Sequence, residues 1–249
     1  MTSLFEYALR LGDDGLILGQ RLGEWCGHAP MLEVDLALAN IGLDLIGQAT
    51  HFLGYAATVE DKGRDADALA FLRDGLDFRN CLLVEQPNGD FAQTIARQFL
   101  FSTWHHLLLT ELAKSKDGTI GAIAAKAEKE VAYHARFAGE WVVRLGDGTD
   151  ESQARMTAGL DWLWRFVDEL FAMDEVDHAL LASGIAVDKA ALRPQWDARV
   201  DAVLADATLA RPAPRRAVAG GRTGRHSEHL GHLLTEMQFL QRAYPGATW

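Results

Sequence analysis

MLEVDLALANIGLDLIGQATHFLGYAA, residues 31–57, would carry apolar side chains on nearly every side of a helix. A helix without a solvated face belongs in the middle of a bundle, so this stretch predicts the centre of an all-α fold. Glu33, Asp35 and Asp44 interrupt it, and nowhere does the chain reach the run of about 18 apolar residues that a membrane span needs.

Working outward, the same three-to-four-residue spacing recurs. A first helix is predicted over 3–26, ending at the turn around His28 and Pro30. Residues 91–115 place Phe91, Ile95, Phe99, Ser102, His106 and Leu109 on one stripe, with Asp90 as cap and Gly118 as stop. Residues 118–146 do so with Ile120, Ile123, Ala127, Val131, His134, Phe137 and Trp141, and residues 151–173 with Met156, Leu160, Leu163, Trp164, Val167, Leu170 and Phe171. Shorter helices are expected at 64–76, 195–208 and 227–243. Strand alternation and short repeats are absent from the pattern. The expected architecture is an all-α bundle, four long helices ringed by short ones, in a single domain over 1–249.

Bulk properties narrow the function. The formal charge is 24 − 35 = −11, which sets aside nonspecific nucleic-acid binding. The start, MTSLFEYALRLGDD, carries acids early and does not resemble a signal peptide. Cys26 and Cys81 are too few for a disulfide framework or a thiolate metal site; reduced thiols in a cytoplasmic protein are expected. One segment differs in composition: RPAPRRAVAGGRTGR, residues 211–225, has five arginines and no acid. It reads either as a mobile basic loop or as a docking strip for an acidic partner or phosphate groups.

Four-helix bundles can hold two metals with one Glu from each of two helices and a Glu-x-x-His from each of the others. This sequence approaches that pattern and misses it. Glu130 and His134 are four apart, and the residue three before His134 is Val131. In residues 44–47, Asp-Leu-Ile-Gly, a glycine stands where the histidine would be. The remaining acids, among them Asp13, Asp14 and Glu24, do not complete a ligand set in register. The expectation is a vestigial, metal-free polar cluster of Arg21, Asp44, Glu130 and His134. A second group, His226, His229 and His232, spans about 120° from first to last around a helix. It reads as a helix start capped by Ser227.

LGQRLGEWCGHAP (18–30), ALANIGLDLIGQA (37–49), LLVEQPNGDFAQTIARQ (82–98), KEVAYHARF (129–137), DELFAMDEVD (168–177) and SEHLGHLLTEMQFLQRAYPGATW (227–249) together resemble the PaaC family from end to end. These are the non-catalytic subunits of bacterial phenylacetyl-CoA epoxidases, multicomponent monooxygenases. The resemblance implies a ferritin-like fold, no cofactor in this chain, and a tight heteromer with the homologous catalytic subunit PaaA, which holds the di-iron centre. A reductase subunit with flavin and a 2Fe-2S cluster would supply electrons from NADPH. The resemblance further implies phenylacetyl-CoA contacts at Asp77, Phe78, Arg79 and Asn80, and at His178, Ala179 and Leu180. Asp77, Arg79 and His178 depart from the family pattern. On this reading Arg79 would meet a CoA phosphate and Phe78 would form an apolar wall, while Trp141, Trp162 and Trp164 would be candidate partner anchors. Two competing readings are a metal-dependent oxidase acting alone through Glu130, His134 and the C-terminal histidines, and a freestanding homo-oligomer. The sequence leaves open whether the isolated chain forms a homodimer through the surface meant for its partner.

Overall fold

The computed structural model describes residues 2–247 of the chain. Its helices are α1 (Ser3–Gly23), α2 (Leu32–Glu60), α3 (Ala66–Phe71), α4 (Leu82–Glu85), α5 (Phe91–Leu112), α6 (Gly118–Gly146), α7 (Asp150–Leu163), α8 (Glu175–Ala182), α9 (Arg193–Asp206), α10 (Glu228–Met237) and α11 (Phe239–Ala243). The described residues contain no strand, so the fold is all-α, as a ferritin-like bundle requires. The chain builds two compact units, one from Met1–Gln86 with Ala219–Trp249, the other from Pro87–Val218. No helix of the described residues is long and apolar enough to cross a membrane.

In the first unit α1 packs along α2 through a seam of small residues. A Cβ on Gly15 would lie 2.9 Å from the Leu45 carbonyl, and one on Gly19 would lie 3.1 Å from that of Gly42. The two backbones therefore approach as closely as glycine alone permits. Thr2 starts α1 by accepting from the Phe5 amide, and Asp61 ends α2 in the left-handed conformation.

The reading of residues 31–57 as submerged on all sides needs correction. Leu38, Ile41 and Leu45 are fully buried, but Leu32, Leu36 and Leu43 are 70%, 55% and 69% exposed. At 100° per residue those three lie within about 40° of one another, a single stripe along the helix. Ala39, Gly47 and Gly54 continue it, and space is open beside both glycines. An all-round apolar helix needs cover on every side, and this chain leaves one face of α2 uncovered.

In the second unit α5 pairs with α6. Asp90 caps α5 as expected, but that helix stops at Leu112; Gly118 instead opens α6, behind the cap Asp117. The helix expected over 151–173 is α-helical only to Leu163 and tightens into a 3-10 helix over Trp164–Leu170. With three residues per turn, Trp164, Val167 and Leu170 align on one face, and all three are buried. Trp164 packs against Trp196 and Trp141 against Phe91; Trp162 is 40% exposed.

Other boundaries shift by identifiable causes. The helix expected over 64–76 reduces to α3 and a 3-10 turn at Gly75–Asp77. The one expected over 227–243 breaks at Gln238, whose buried side chain donates to the carbonyls of Ala70 and Arg73. The basic loop is extended and tied to the chain's own acids: Arg211 bonds Asp197 and Asp201, Arg215 bonds Asp161, and Arg222 bonds Asp14. Three of its five arginines are thus engaged internally, which removes most of the free positive charge a docking strip would need.

Candidate functional site

Asp13 and Asp14 sit side by side in the middle of α1, 0% and 2% exposed. Ionised groups that deep are tolerated only with partners of good geometry, and two distant segments supply them. The Arg73 guanidinium faces both oxygens of Asp13, while Arg222 holds both oxygens of Asp14 at 3.0 and 2.7 Å. Forked pairing of this kind is specific to arginine.

The chain between Phe78 and Cys81 is extended, so alternate amides point the same way. The Arg79 amide donates to Asp13 and the Cys81 amide to Asp14, both at 2.8 Å. Arg222 also donates to the Arg79 carbonyl at 2.9 Å. The turn bearing Arg222 comes so near that a Cβ on Gly221 would lie 2.1 Å from the Asn80 carbonyl.

Glu85, fully buried at the end of α4, completes the cluster. Its carboxylate accepts from the Asn80 side chain at 2.8 Å, from His226 Nδ1 at 2.7 Å and from the Ser227 amide at 2.6 Å. His226 Nε2 faces the Phe78 carbonyl at 3.0 Å. Burial pulls the His226 ring toward neutrality, but the hydrogen bond and charge of Glu85, with the Phe78 carbonyl and Asp13, outweigh it and raise its pKa above 6.5. Ser227 does occupy the cap position of α10, although its side chain makes no capping bond there.

This geometry places the residues singled out in the sequence. Phe78 is fully buried beneath the Arg73 guanidinium, 4.2 Å from its ring centre, and Asn80 is fully buried on Glu85. Arg79 folds back on the Leu76 and Phe78 carbonyls and on Glu6. Asp77 alone of the four is exposed. Glu6, Glu60, Lys62, Arg64, Arg73 and Arg79 gather nearby, most of them around a cavity of ≈ 200 Å³ that Asp77 also lines. In the second unit, His178 and Ala179 are exposed on α8 and Leu180 is buried. That helix is anchored by a capping box of Asp174 with Asp177, and by a buried Asp177–Lys189 pair at 2.9 Å.

The four residues of the expected vestigial cluster divide between the units. Arg21 donates to the Glu85 and His229 carbonyls and to Glu24, and Asp44 is half-buried on α2. Glu130 is half-buried and His134 fully buried on α6. Among the described residues, no group of three or more His, Cys, Asp or Glu side chains is placed to hold a metal ion. Near His134, His105 is enclosed against Phe101 and Trp104; burial, then the charges of His134 and His106, lower its pKa to about 3.

Sequence reasoning missed the ion-pair cluster. Its only local signal is the adjacent acids within the leucine-rich stretch 9–18, which also holds Arg10; their arginines lie 60 and 208 residues away.

Residues 1–249 match the phenylacetic acid catabolic protein family, PaaA_PaaC. The chain belongs to that family. It is 56% identical, over the full length of both chains, to a subunit of the 1,2-phenylacetyl-CoA epoxidase of Escherichia coli strain K12. The resemblance noted in the sequence is therefore to the right family and covers every residue.

Proposed function

We propose that this chain is a non-catalytic, partner-binding subunit of a phenylacetyl-CoA epoxidase. The observation that carries the reading is the uncovered leucine stripe of α2, on a chain whose full-length relative is named as an epoxidase subunit. A row of exposed leucines at helical spacing has no solubility rationale in a lone protein, and fits a helix of a second chain. The occupant is the homologous catalytic subunit PaaA, which holds the di-iron centre and converts phenylacetyl-CoA, O2 and NADPH-derived electrons into the ring 1,2-epoxide. Other subunits of the complex, including the flavin and 2Fe-2S reductase, complete the electron path.

On this reading the chain's own residues position rather than react. The Asp77–Asn80 turn presents the Asp77 side chain and rigid backbone to the CoA ester, since Phe78 and Asn80 face inward and Arg79 is folded back. In the second unit, taken by itself, His178 and Ala179 present an exposed surface of α8 as a separate candidate contact.

The test is co-expression with the catalytic subunit. Wild type is expected to co-purify in fixed stoichiometry, and the double substitution Leu36→Glu, Leu43→Glu to lose the partner while staying folded. Undiminished co-purification of that variant would remove α2 from the interface, and a homodimer that excludes the catalytic subunit would overturn the reading.

A further inference from the structure

Two bonds of His226 are informative without reference to any reaction. Its Nδ1 faces a carboxylate oxygen of Glu85 at 2.7 Å and its Nε2 faces the carbonyl oxygen of Phe78 at 3.0 Å. Both partners are acceptors without a proton to give. A neutral imidazole has one N–H, so it would direct a lone pair at one of these oxygens. With Glu85 as a carboxylate, the acceptor it already is for the Asn80 side chain and the Ser227 amide, only the doubly protonated ring satisfies both, and it does so with a side chain 7% exposed.

The surroundings favour the cation. From α4 comes Glu85; from α1 come Asp13 and Asp14, each held by an arginine, and Arg21, which bonds the Glu85 carbonyl rather than its carboxylate. From the 72–81 connection come Arg73, over the Phe78 ring, and Arg79, paired with Glu6. From α10 itself come Glu228 and His229. Glu85 has no arginine or lysine on its carboxylate among its contacts; His226 is its counter-ion.

The ring therefore joins two pieces of chain. On one side is the Phe78 carbonyl, inside the Asp77–Asn80 turn. On the other is the start of α10, whose Ser227 amide shares Glu85 with the ring. Downstream, α10 and α11 lie over Asp74 and Gly75, lining a groove of ≈ 550 Å³ with Leu234, Gln238 and Arg242.

We propose that His226 is a positioning residue: as an imidazolium it locks the Asp77–Asn80 turn to the start of α10, and loss of its proton releases both. The consequence for CoA-ester binding rests on the subunit function proposed above; the lock itself does not. With the proton gone, one ring nitrogen repels its acceptor and Glu85 keeps a buried charge without a counter-ion, a strongly unfavourable arrangement. The turn and the C-terminal helices then loosen together.

Long-range proton–nitrogen spectra of the histidine-labelled full chain, recorded from pH 6 to 9, test the lock without partner or turnover. His226 is expected to keep both ring protons at pH 7.5. A singly protonated His226 at that pH would overturn the proposal. Hydrogen exchange gives the second reading: the amides of Arg79, Cys81, Ser227 and α10 should exchange at least tenfold faster in His226→Gln at pH 7, and in wild type once the ring deprotonates. Exchange in wild type that stays flat across that deprotonation would sink the lock even if the variant does not fold. In the reconstituted complex, His226→Gln is expected to raise KM for phenylacetyl-CoA severalfold with kcat within twofold. A fall in kcat at constant KM would contradict positioning. Failure of the wild-type complex to assemble would instead count against the subunit function and leave the spectra to decide the lock.

Discussion

His226 in the first unit and His105 in the second are both enclosed, with side chains or residues only 7% and 5% exposed, yet their pKa values are driven in opposite directions. His226 is surrounded by oxygen: a carboxylate, a carbonyl and further acids on α1. His105 lies between Phe101 and Trp104, where desolvation dominates and the ring stays neutral to about pH 3. Burial alone does not determine ionisation; the atoms that do the burying decide it. The contrast extends to the units. The first is fastened by buried ion pairs between distant segments, while the region around His105 in the second is packed chiefly with aromatic and apolar side chains.

The largest expected effect breaks the ionic side of that contrast. Asp14→Ala takes the carboxylate counter-ion from Arg222 and the acceptor from the Cys81 amide, and should cost about 3–5 kcal/mol in urea unfolding. His105→Phe keeps volume and removes only a neutral ring, so its cost should stay below about 1.5 kcal/mol. Equal costs would erase the distinction. Next comes Gly15→Ala, which forces α1 off the Leu45 carbonyl and should cost about 1–3 kcal/mol by thermal unfolding.

Acid and base sharpen the comparison from opposite ends. His226 has a raised folded pKa, so its stabilisation is complete below about 6.5 and fades as pH rises through the folded value. His105 has a folded pKa of about 3 against 6.5 when unfolded, so stability falls as pH drops through that window. The melting temperature should therefore peak near neutrality. His226→Gln should flatten the alkaline limb and His105→Phe should reduce the acid one. The smallest effect is expected from Thr149→Ala, which opens the capping box of α7 and should lower stability by about 1 kcal/mol.

How much of this is legible in the sequence depends on whether the cause is local. Helical periodicity is local, so α6 is predicted to the residue, and Asp90 is recognisable as a cap from its position before an apolar stripe. The end of α7 is not, because its tightening comes from Trp164, Val167 and Leu170 packing on one side. The exposed face of α2 escapes for a related reason: an all-round apolar pattern shows that every side wants cover but not which side the chain itself leaves open. Asp13 and Asp14 are visible as acids in an apolar helix and count there as possible metal donors. Their true partners cannot be found that way, since nothing near them in sequence points to Arg73 or Arg222. The failure of Glu130 with His134, and of residues 44–47, to form a Glu-x-x-His is legible because that motif is a spacing, and spacing is what a sequence displays directly.

Phenylacetyl-CoA-dependent NADPH oxidation in reconstituted mixtures decides whether this chain supports a partner's chemistry and performs none itself. The catalytic subunit and reductase should turn over fully only when this chain is added. Glu130→Ala with His134→Ala should leave that rate within about twofold if the fold is kept, less than about 0.4 kcal/mol in barrier. Turnover by this chain and the reductase alone, or full activity of the catalytic subunit in its absence, would refute the supporting role.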